Sequence, residues 1–410
     1  MYFQGFTPAQ VAHTNTLLAN TCLPVVGDLT WPSVCRMAPS FTGNEPYSFL
    51  GAAPYMTAFT GTVPTNAVQS FKMTVPNQVW VNSTDISIFD LWADQTAGTI
   101  AGIASQFGLS TVWNPEYLLY YSLLNGRNAG SQSIKSPFDG NTYTTTADGL
   151  PIFSDSHPTF GSSSTFSNII RGSGPGTQAT MNSNGIIATA QSYWADLQAV
   201  TAAAQTAMNT NGAPLFPTLN PAKNLVVIAP SQIGFAMNLA LRTEGFVDMT
   251  TNIGPEYHRN LIINGLASSC PQINQGPNGT MINPGARVTA PVYPGTTTPQ
   301  LEYYVMVTGW TTGAAYMQLF NPLSQNQTFP GNYNPVEQID RLVKDAGLSP
   351  AVATSMALSL VQTNFQFLST QSDAQVMKTK QVTVAGTQLA SLFFPWAPLI
   401  YRVIPSGGTA

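Results

Sequence analysis

Charge is nearly missing from this chain. Of 410 residues only 14 are Lys or Arg and 18 are Asp or Glu, so charged side chains make up 8% while hydrophobic ones make up 43%. An ordinary soluble domain is about a quarter charged. A free monomer stays in solution largely through mixed surface charge, so a chain that uses Asn, Thr, Ser, Gln and Gly instead is expected to cover much of its surface with neighbours. Self-association is the first reading. Secreted adhesins and surface-layer proteins share this polar, lysine-poor composition and supply the rival. The length suits two or three lobes on one chain.

Several classes drop out. No apolar run approaches the roughly 18–20 residues needed to cross a bilayer, and the start lacks a basic segment followed by an apolar one, so neither membrane insertion nor signal-peptide export is expected. Tyr2-Phe3-Gln4-Gly5 resembles a protease-cleavage remnant and is set aside. The net charge is -4 with the basic residues scattered, which leaves no stripe for gripping phosphates. Cys22, Cys35 and Cys270 are an odd set without CxxC or metal spacing. They read as reduced thiols, with a Cys22 to Cys35 bridge open but not indicated. His13 and His258 have no ligand-spaced partners, so neither a metal nor a cofactor is expected.

Along the chain, no charged residue occurs between Phe6 and Asp28 and no period is sustained, which suits an extended arm lying over another subunit. Tyr47-Ser48-Phe49-Leu50-Gly51 and Ser70-Phe71-Lys72-Met73-Thr74-Val75 read as the strands of a long hairpin. A helix is expected to open over residues 87–94, with Asp90 and Asp94 suiting its N-terminal dipole. It should break over residues 108–115 and resume from Glu116 to a stop at Asn125-Gly126. Residues 127–184 are rich in Gly, Ser and Thr, with Gly172-Ser173-Gly174-Pro175-Gly176 near the end, and read mostly as loop.

An alanine-rich helix follows over about 187–208, with Tyr193, Trp194, Leu197 and Val200 on one side. Leu225-Val226-Val227-Ile228-Ala229 is a buried-strand run, and residues 232–241 are the helix after it. Further strands are Leu261-Ile262-Ile263 and Tyr303-Tyr304-Val305-Met306-Val307, around a Pro/Gly/Asn-rich excursion over 268–300. Residues 335–346 read as a charged solvent-facing helix, 350–370 as another helix, and 381–403 as terminal strands broken at Pro395 and Pro398.

Candidate chemistry is sparse. His157, with Asp155 beside it, could serve a hydrolase as general base because histidine titrates near neutrality. The structural alternative is a turn in which Asp155 caps backbone amides and Pro158 fixes the exit direction. No nucleophile elbow, P-loop, HExxH or paired-carboxylate motif accompanies His157, which favours the turn. Trp113, Tyr117, Tyr120 and Tyr121 could form a sugar platform, but at helical spacing they read as packing. Asn82-Ser83-Thr84, Asn278-Gly279-Thr280 and Asn326-Gln327-Thr328 match the glycosylation tripeptide, which an Asn/Thr-rich chain produces by chance.

Three blocks carry a family resemblance. Val25-Val26-Gly27 through Tyr47-Ser48-Phe49-Leu50-Gly51 to Phe59 is similar to the arm and extended-loop start of the major head subunit of Mu-like phages. Asp148-Gly149-Leu150-Pro151-Ile152-Phe153-Ser154-Asp155-Ser156-His157-Pro158 resembles that family's F-S-x-x-H-P signature. Asn211-Gly212-Ala213-Pro214-Leu215, Pro221 and Leu225 to Pro230 look like its G-x-P-L and P-x-x-L-V-V-P-P run. The blocks keep the family's order over about residues 20–265, and the match fades beyond.

The resemblance implies an α+β chain with the Hong Kong 97-like capsid fold. Its parts would be an N-terminal arm over 1–42, an extended β-hairpin loop over 43–85, and a peripheral domain with spine helix and loop insert over 86–184. An axial α/β domain with inserted loops would cover 185–380, and return strands of the peripheral domain 381–410. It implies a major capsid protein of a tailed bacteriophage, not an enzyme, with no catalytic, cofactor or metal residues. Such a chain would assemble with itself into hexamers and pentamers of an icosahedral shell around double-stranded DNA, after synthesis in the bacterial host cytoplasm. Portal and scaffolding proteins, and a decoration protein, are implied partners, with DNA met only by non-specific proximity and no membrane. Some shells of this fold cross-link a loop lysine to a neighbour's asparagine; Lys72 is the candidate position here, though this family is not expected to cross-link.

Overall fold

The computed structural model describes residues 31–40, 42–50, 61, 70–87, 98–126, 133–159, 165–175, 178–207, 225–230, 233–242, 247–248, 251–252, 260–264, 302–308, 313–320, 343, 366–367 and 381–406. Residues 1–30 of the expected arm, the 268–300 excursion and nearly all of the 335–346 helix lie outside the described residues. So do His13, His258, Cys22 and Cys270.

A short helical turn, α1 (Trp31–Val34), leads into β1 (Cys35–Ser40). The next strands, β2 (Asn44–Leu50) and β3 (Ser70–Pro76), pair antiparallel from Asn44 opposite Pro76 to Leu50 opposite Ser70, forming the anticipated hairpin. Alternation gives the hairpin an apolar face carrying Tyr47, Phe49, Phe71, Met73 and Val75. That face packs on the sheet beneath: Tyr47 stacks on Phe393 at 4.8 Å, Phe49 meets Tyr316 at 5.5 Å and Phe71 stacks on Trp396 at 6.0 Å.

After Asn77, strand β4 (Gln78–Ser87) continues to the residue where the sequence reading opened a helix. Backbone pairing to the C-terminal strand accounts for Ser87, which lies opposite Gln381.

Helix α2 (Gly98–Asn125) corrects the expected break over 108–115, because it runs unbroken through Gly108 and Pro115. A proline inside a helix costs about 3 kcal/mol. Here Tyr117, Leu118, Leu119, Tyr120 and Leu123 are all buried in the turns that follow. Each such burial contributes about 1.5–3 kcal/mol, so tertiary packing outweighs the local penalty.

Two small ladders follow, β5 (Ser133–Lys135) with β6 (Thr142–Thr144), and β7 (His157–Pro158) with β8 (Thr165–Phe166). Strand β9 (Ile169–Pro175) then corrects a second expectation, since Gly172-Ser173-Gly174-Pro175 was read as loop. The glycines are there for approach rather than for turning. A Cβ on Gly174 would sit 2.5 Å from the Tyr193 ring, and the Asp196 carboxylate accepts the Ser173 and Gly174 amides at 2.6 and 3.1 Å.

The helices α3 (Gln178–Asn184) and α4 (Ile186–Thr206) lead to β10 (Leu225–Pro230) and α5 (Gly234–Arg242). A two-residue ladder, β11 (Val247–Asp248) with β12 (Thr251–Asn252), precedes β13 (Asn260–Asn264). The remaining strands are β14 (Tyr303–Val307), β15 (Ala315–Phe320), β16 (Gln366–Phe367), β17 (Gln381–Phe393) and β18 (Ile400–Ser406). Gln366 and Phe367, read as part of a 350–370 helix, instead pair with Ala385 and Val384.

Two five-stranded sheets result. One has the order β13-β10-β14-β18-β9, in which only β14 opposes the direction of the others. Leu225 to Ala229 and Tyr303 to Val307 are buried throughout, as a strand covered on both faces requires. Helices α4 and α5 lie against one face, where Tyr193 meets Tyr303 edge-on at 5.8 Å. Tyr304, the next residue, points to the other face and stacks on Phe153 at 5.4 Å.

In the other sheet β17 is the spine, flanked by β4 along Gln381 to Ala390, by β15 near its end and by β16, with β1 parallel beyond β15. The terminal segment, read from sequence as return strands to the peripheral lobe, therefore divides between the sheets: β17 stays with the hairpin's sheet, and β18 enters the α/β sheet between β14 and β9.

Candidate functional site

The conspicuous sequence block around His157 becomes the junction where α2, the hairpin's sheet and the α/β sheet meet. It begins with a turn that needs glycine, because Gly149 has a φ of +72°. Asp148 Oδ1 accepts the Leu150 amide at 3.1 Å, and the Thr146 hydroxyl donates to the Leu150 carbonyl at 2.8 Å. That turn aims the second Asp148 oxygen at His157 Nδ1, 2.6 Å away. His157 Nε2 faces the Ile152 carbonyl at 3.2 Å, and the ring stacks on Phe166 with centroids 5.5 Å apart.

Asp155, read from sequence as a cap for backbone amides, is exposed and accepts the Ser167 hydroxyl at 2.7 Å, while the partner of His157 is the half-buried Asp148, nine residues back. His157 is 1% exposed with a protein oxygen opposite each ring nitrogen, an arrangement that orients the ring and offers neither nitrogen to a reacting proton. The adjoining cavity, lined by Phe166, Phe394, Pro395 and Pro398 among others, has a volume of about 10 Å³. That is room for one water at most.

Neighbouring residues extend the junction in three directions. The Phe153 amide donates to the Gly126 carbonyl at 2.9 Å, and a Cβ on Gly126 would lie 2.7 Å from the Phe153 ring, so glycine ends α2 because an aromatic ring covers it. Asn168 accepts the Ser154 amide at 2.9 Å and donates to the Ile152 carbonyl at 2.7 Å, while its own carbonyl receives the Arg402 amide at 3.0 Å. The Phe394 amide donates to the Thr145 carbonyl at 2.7 Å, tying the end of β17 to the same loop.

Beneath lies the buried pair Arg402 and Glu302, joined by Nε at 2.8 Å and a second guanidinium nitrogen at 2.6 Å. The Tyr304 hydroxyl donates to the other Glu302 oxygen at 2.5 Å. Burial works against the Arg402 cation, but Glu302, Tyr304 and Asp155 together outweigh it and raise the guanidinium above its ordinary value. Asn168, Glu302 and Arg402 escaped the sequence reading. In a chain so poor in charge, an arginine inside Ile400-Tyr401-Arg402-Val403-Ile404 was the available signal of a buried pair.

Other candidates resolve as packing. Tyr117 and Tyr120 are buried and Trp113 and Tyr121 partly so; Tyr120 donates to Glu116 at 2.6 Å, and Trp80 crosses Tyr117 at 6.1 Å. They form core within the chain rather than a platform. Glu116 also accepts the Trp31 amide at 2.9 Å, anchoring α1 to α2. Cys35 is buried, and burial pushes its thiol well above the ordinary value, with Glu116 adding to the rise. Lys72 is exposed on β3 opposite Ser48. Among the described residues, no three His, Cys, Asp or Glu side chains group as metal ligands, and no helix is long and apolar enough to cross a membrane.

Residues 25–181 match the family described as the Mu-like prophage major head subunit gpT. Over this stretch, which is less than half of the chain, the sequence is similar to that family. The Mu-like match takes in the hairpin, α2, the His157 junction and β9, and ends within α3, so the block around Leu225 to Pro230 lies beyond it.

No curated protein matches the chain. Among solved structures, the mature capsid of bacteriophage PhiM1 is similar at 9% identity and a TM-score of 0.45, covering 93% of this chain and 88% of that one. The bacteriophage JBD30 capsid decorated with minor capsid protein trimers gives 12% and 0.42, over 57% of this chain and 89% of that one. Mycobacterium phage Patience gives 12% and 0.40, over 98% and 87%.

Proposed function

We propose that this chain is the major capsid protein of a phage head, a structural subunit and not an enzyme. The observation that carries the reading is the Mu-like family match over residues 25–181, which spans the hairpin, the long helix and the junction. Charge scarcity supports it independently: with 8% charged residues, burial between subunits stabilises surface that a monomer would leave exposed.

Copies form hexamers and pentamers of an icosahedral shell enclosing double-stranded DNA. The β2–β3 hairpin serves as the extended loop and α2 as the spine helix of a peripheral domain. The α/β sheet with α4 and α5 serves as the axial domain. A closed curved shell needs one chain to occupy slightly different environments, which a rigid core with projecting segments accommodates. The net charge of -4 suits a lining that DNA meets without specific grip. Synthesis in the bacterial cytoplasm, followed by assembly with portal and scaffolding proteins and a decoration protein, completes the proposed setting.

Electron microscopy of the purified protein tests this directly. Capsomers or closed shells are expected; monomers alone across salt, pH and crowding conditions would overturn the reading.

A further inference from the structure

We infer that Asn77 is the positioning residue that fixes the direction of the β2–β3 hairpin for assembly, an inference that rests on the shell-subunit reading above. Asn77 joins β3 to β4, is fully buried, and engages both side-chain amide protons as well as its side-chain oxygen. Its Nδ2 donates to Ser40 Oγ at 2.6 Å and to the Thr42 carbonyl at 2.7 Å. Its Oδ1 accepts Gln318 Nε2 at 2.8 Å, and its amide donates to the Gly43 carbonyl at 2.7 Å. One side chain thus links the hairpin root to β1, to the β1–β2 turn and to β15.

Neighbouring bonds point the same way. Gln318 also reaches the Val75 carbonyl at 3.3 Å; the Ser391 hydroxyl donates to the Pro76 carbonyl at 2.6 Å and accepts the Gln78 amide at 3.0 Å. Residues 75–78 are therefore held from β15 and β17 together.

A brace stands outside this root. Asn44 Nδ2 donates to Asp139 at 3.0 Å, Ser136 Oγ donates to Asn44 Oδ1 at 2.9 Å, and the Phe138 ring lies where a Gly43 Cβ would come within 2.8 Å of it. The aromatic stack under the hairpin holds one face against the sheet, chiefly through apolar burial, which is non-directional. Hydrogen bonds are directional, so the polar root and not the stack sets the angle at which the hairpin leaves.

The test compares wild type with Asn77→Ala by hydrogen exchange and by electron microscopy of assembled particles. Losing these bonds should speed exchange at Tyr47 to Leu50 and Phe71 to Val75 by about tenfold to a hundredfold. Amides of Val226 to Ile228 should stay unchanged, and closed shells of one diameter should give way to irregular or open particles. Unchanged hairpin exchange, or shells of wild-type diameter, overturns the inference. If Asn77→Ala fails to fold, Ser40→Ala, which removes the acceptor of an Asn77 Nδ2 proton, decides: faster exchange confined to the hairpin supports the inference, and faster exchange throughout the chain overturns it. Should wild type itself form no shells, the shell-subunit reading fails separately, while the exchange comparison still decides whether Asn77 clamps the hairpin.

Discussion

The two sheets are built on different principles. In the α/β sheet the central strands are continuous apolar runs, and among the described residues its buried charge stands at the margins, in Arg402 with Glu302 at the junction edge and in Asp196 against β9. The hairpin's sheet buries Ser40, Asn77, Gln318, Gln388 and Ser391; Asn77, Gln318 and Ser391 bond backbone carbonyls of distant segments, while Ser40 accepts Asn77 and Gln388 accepts Asn114. Apolar packing is strong but indifferent to direction, whereas a satisfied polar network specifies angle and register. The first sheet is thus a rigid body. The second is a mounting plate, from which the hairpin, α2 and the segment entering at Trp31 depart at set angles.

The largest effect should come from the α/β side. Glu302→Ala leaves the Arg402 cation buried beside Tyr304 without its carboxylate, which typically destabilises by about 3–5 kcal/mol. Urea denaturation measures it, and a loss below about 1 kcal/mol would mean that solvent reaches the guanidinium. Next is Leu197→Ala in α4, where a leucine 1% exposed faces the sheet and truncation should cost about 2–5 kcal/mol. Both changes should lower global stability without loosening the hairpin selectively. Faster exchange confined to the hairpin in either variant would erase the distinction between the two sheets.

The same distinction explains how much could be read in the sequence. Leu225 to Ala229 and Tyr303 to Val307 announce themselves because local composition and tertiary role agree, and the hairpin is visible from Tyr47-Ser48-Phe49 and Phe71-Lys72-Met73 by alternation. Gly172 to Pro175 misled because glycine signals a turn locally, while here it answers the Tyr193 ring and the Asp196 carboxylate, about 20 residues away along the chain. Pro115 misled in the same way, its local cost being outweighed by burial that no window reveals. His157 stood out as a motif, yet its partner Asp148 follows from a Gly149 turn and not from adjacency. Asn77, an asparagine between a proline and a glutamine, resembles any loop residue, because its role depends on Ser40, Thr42 and Gln318 converging from distant segments.

On the mounting-plate side single losses should be smaller and local. Trp80→Phe keeps an aromatic against Tyr117 but removes the indole donor to the Ala390 carbonyl, 3.0 Å away. One hydrogen bond contributes about 1 kcal/mol. The loss should appear as faster exchange where β4 meets β17, with the α/β sheet unaffected; a uniform destabilisation would place Trp80 in the shared core instead.

The smallest effect belongs to the outer brace and depends on pH. Asp139 is exposed, and the Tyr143 hydroxyl first, then the Asn141 amide, hold its carboxyl down from 3.8 to about 2. A depressed carboxyl stabilises the folded form fully above its ordinary value and loses that contribution as pH falls through the folded one. The contacts of Asp139 with Tyr143 and Asn44 should therefore persist at about pH 4 and dissolve near pH 2. Removing the hydroxyl with Tyr143→Phe should move the carboxyl midpoint, followed by nuclear magnetic resonance, back toward the ordinary value. An unmoved midpoint would show that the brace is held by Asn44 and Phe138 alone. Asn77's own partners Ser40, Thr42, Gly43 and Gln318 carry no titrating side chain, but Glu45 accepts the Thr42 amide at 2.8 Å beside them, so Glu45→Gln is the control that separates acid loosening of the brace from loosening of the root.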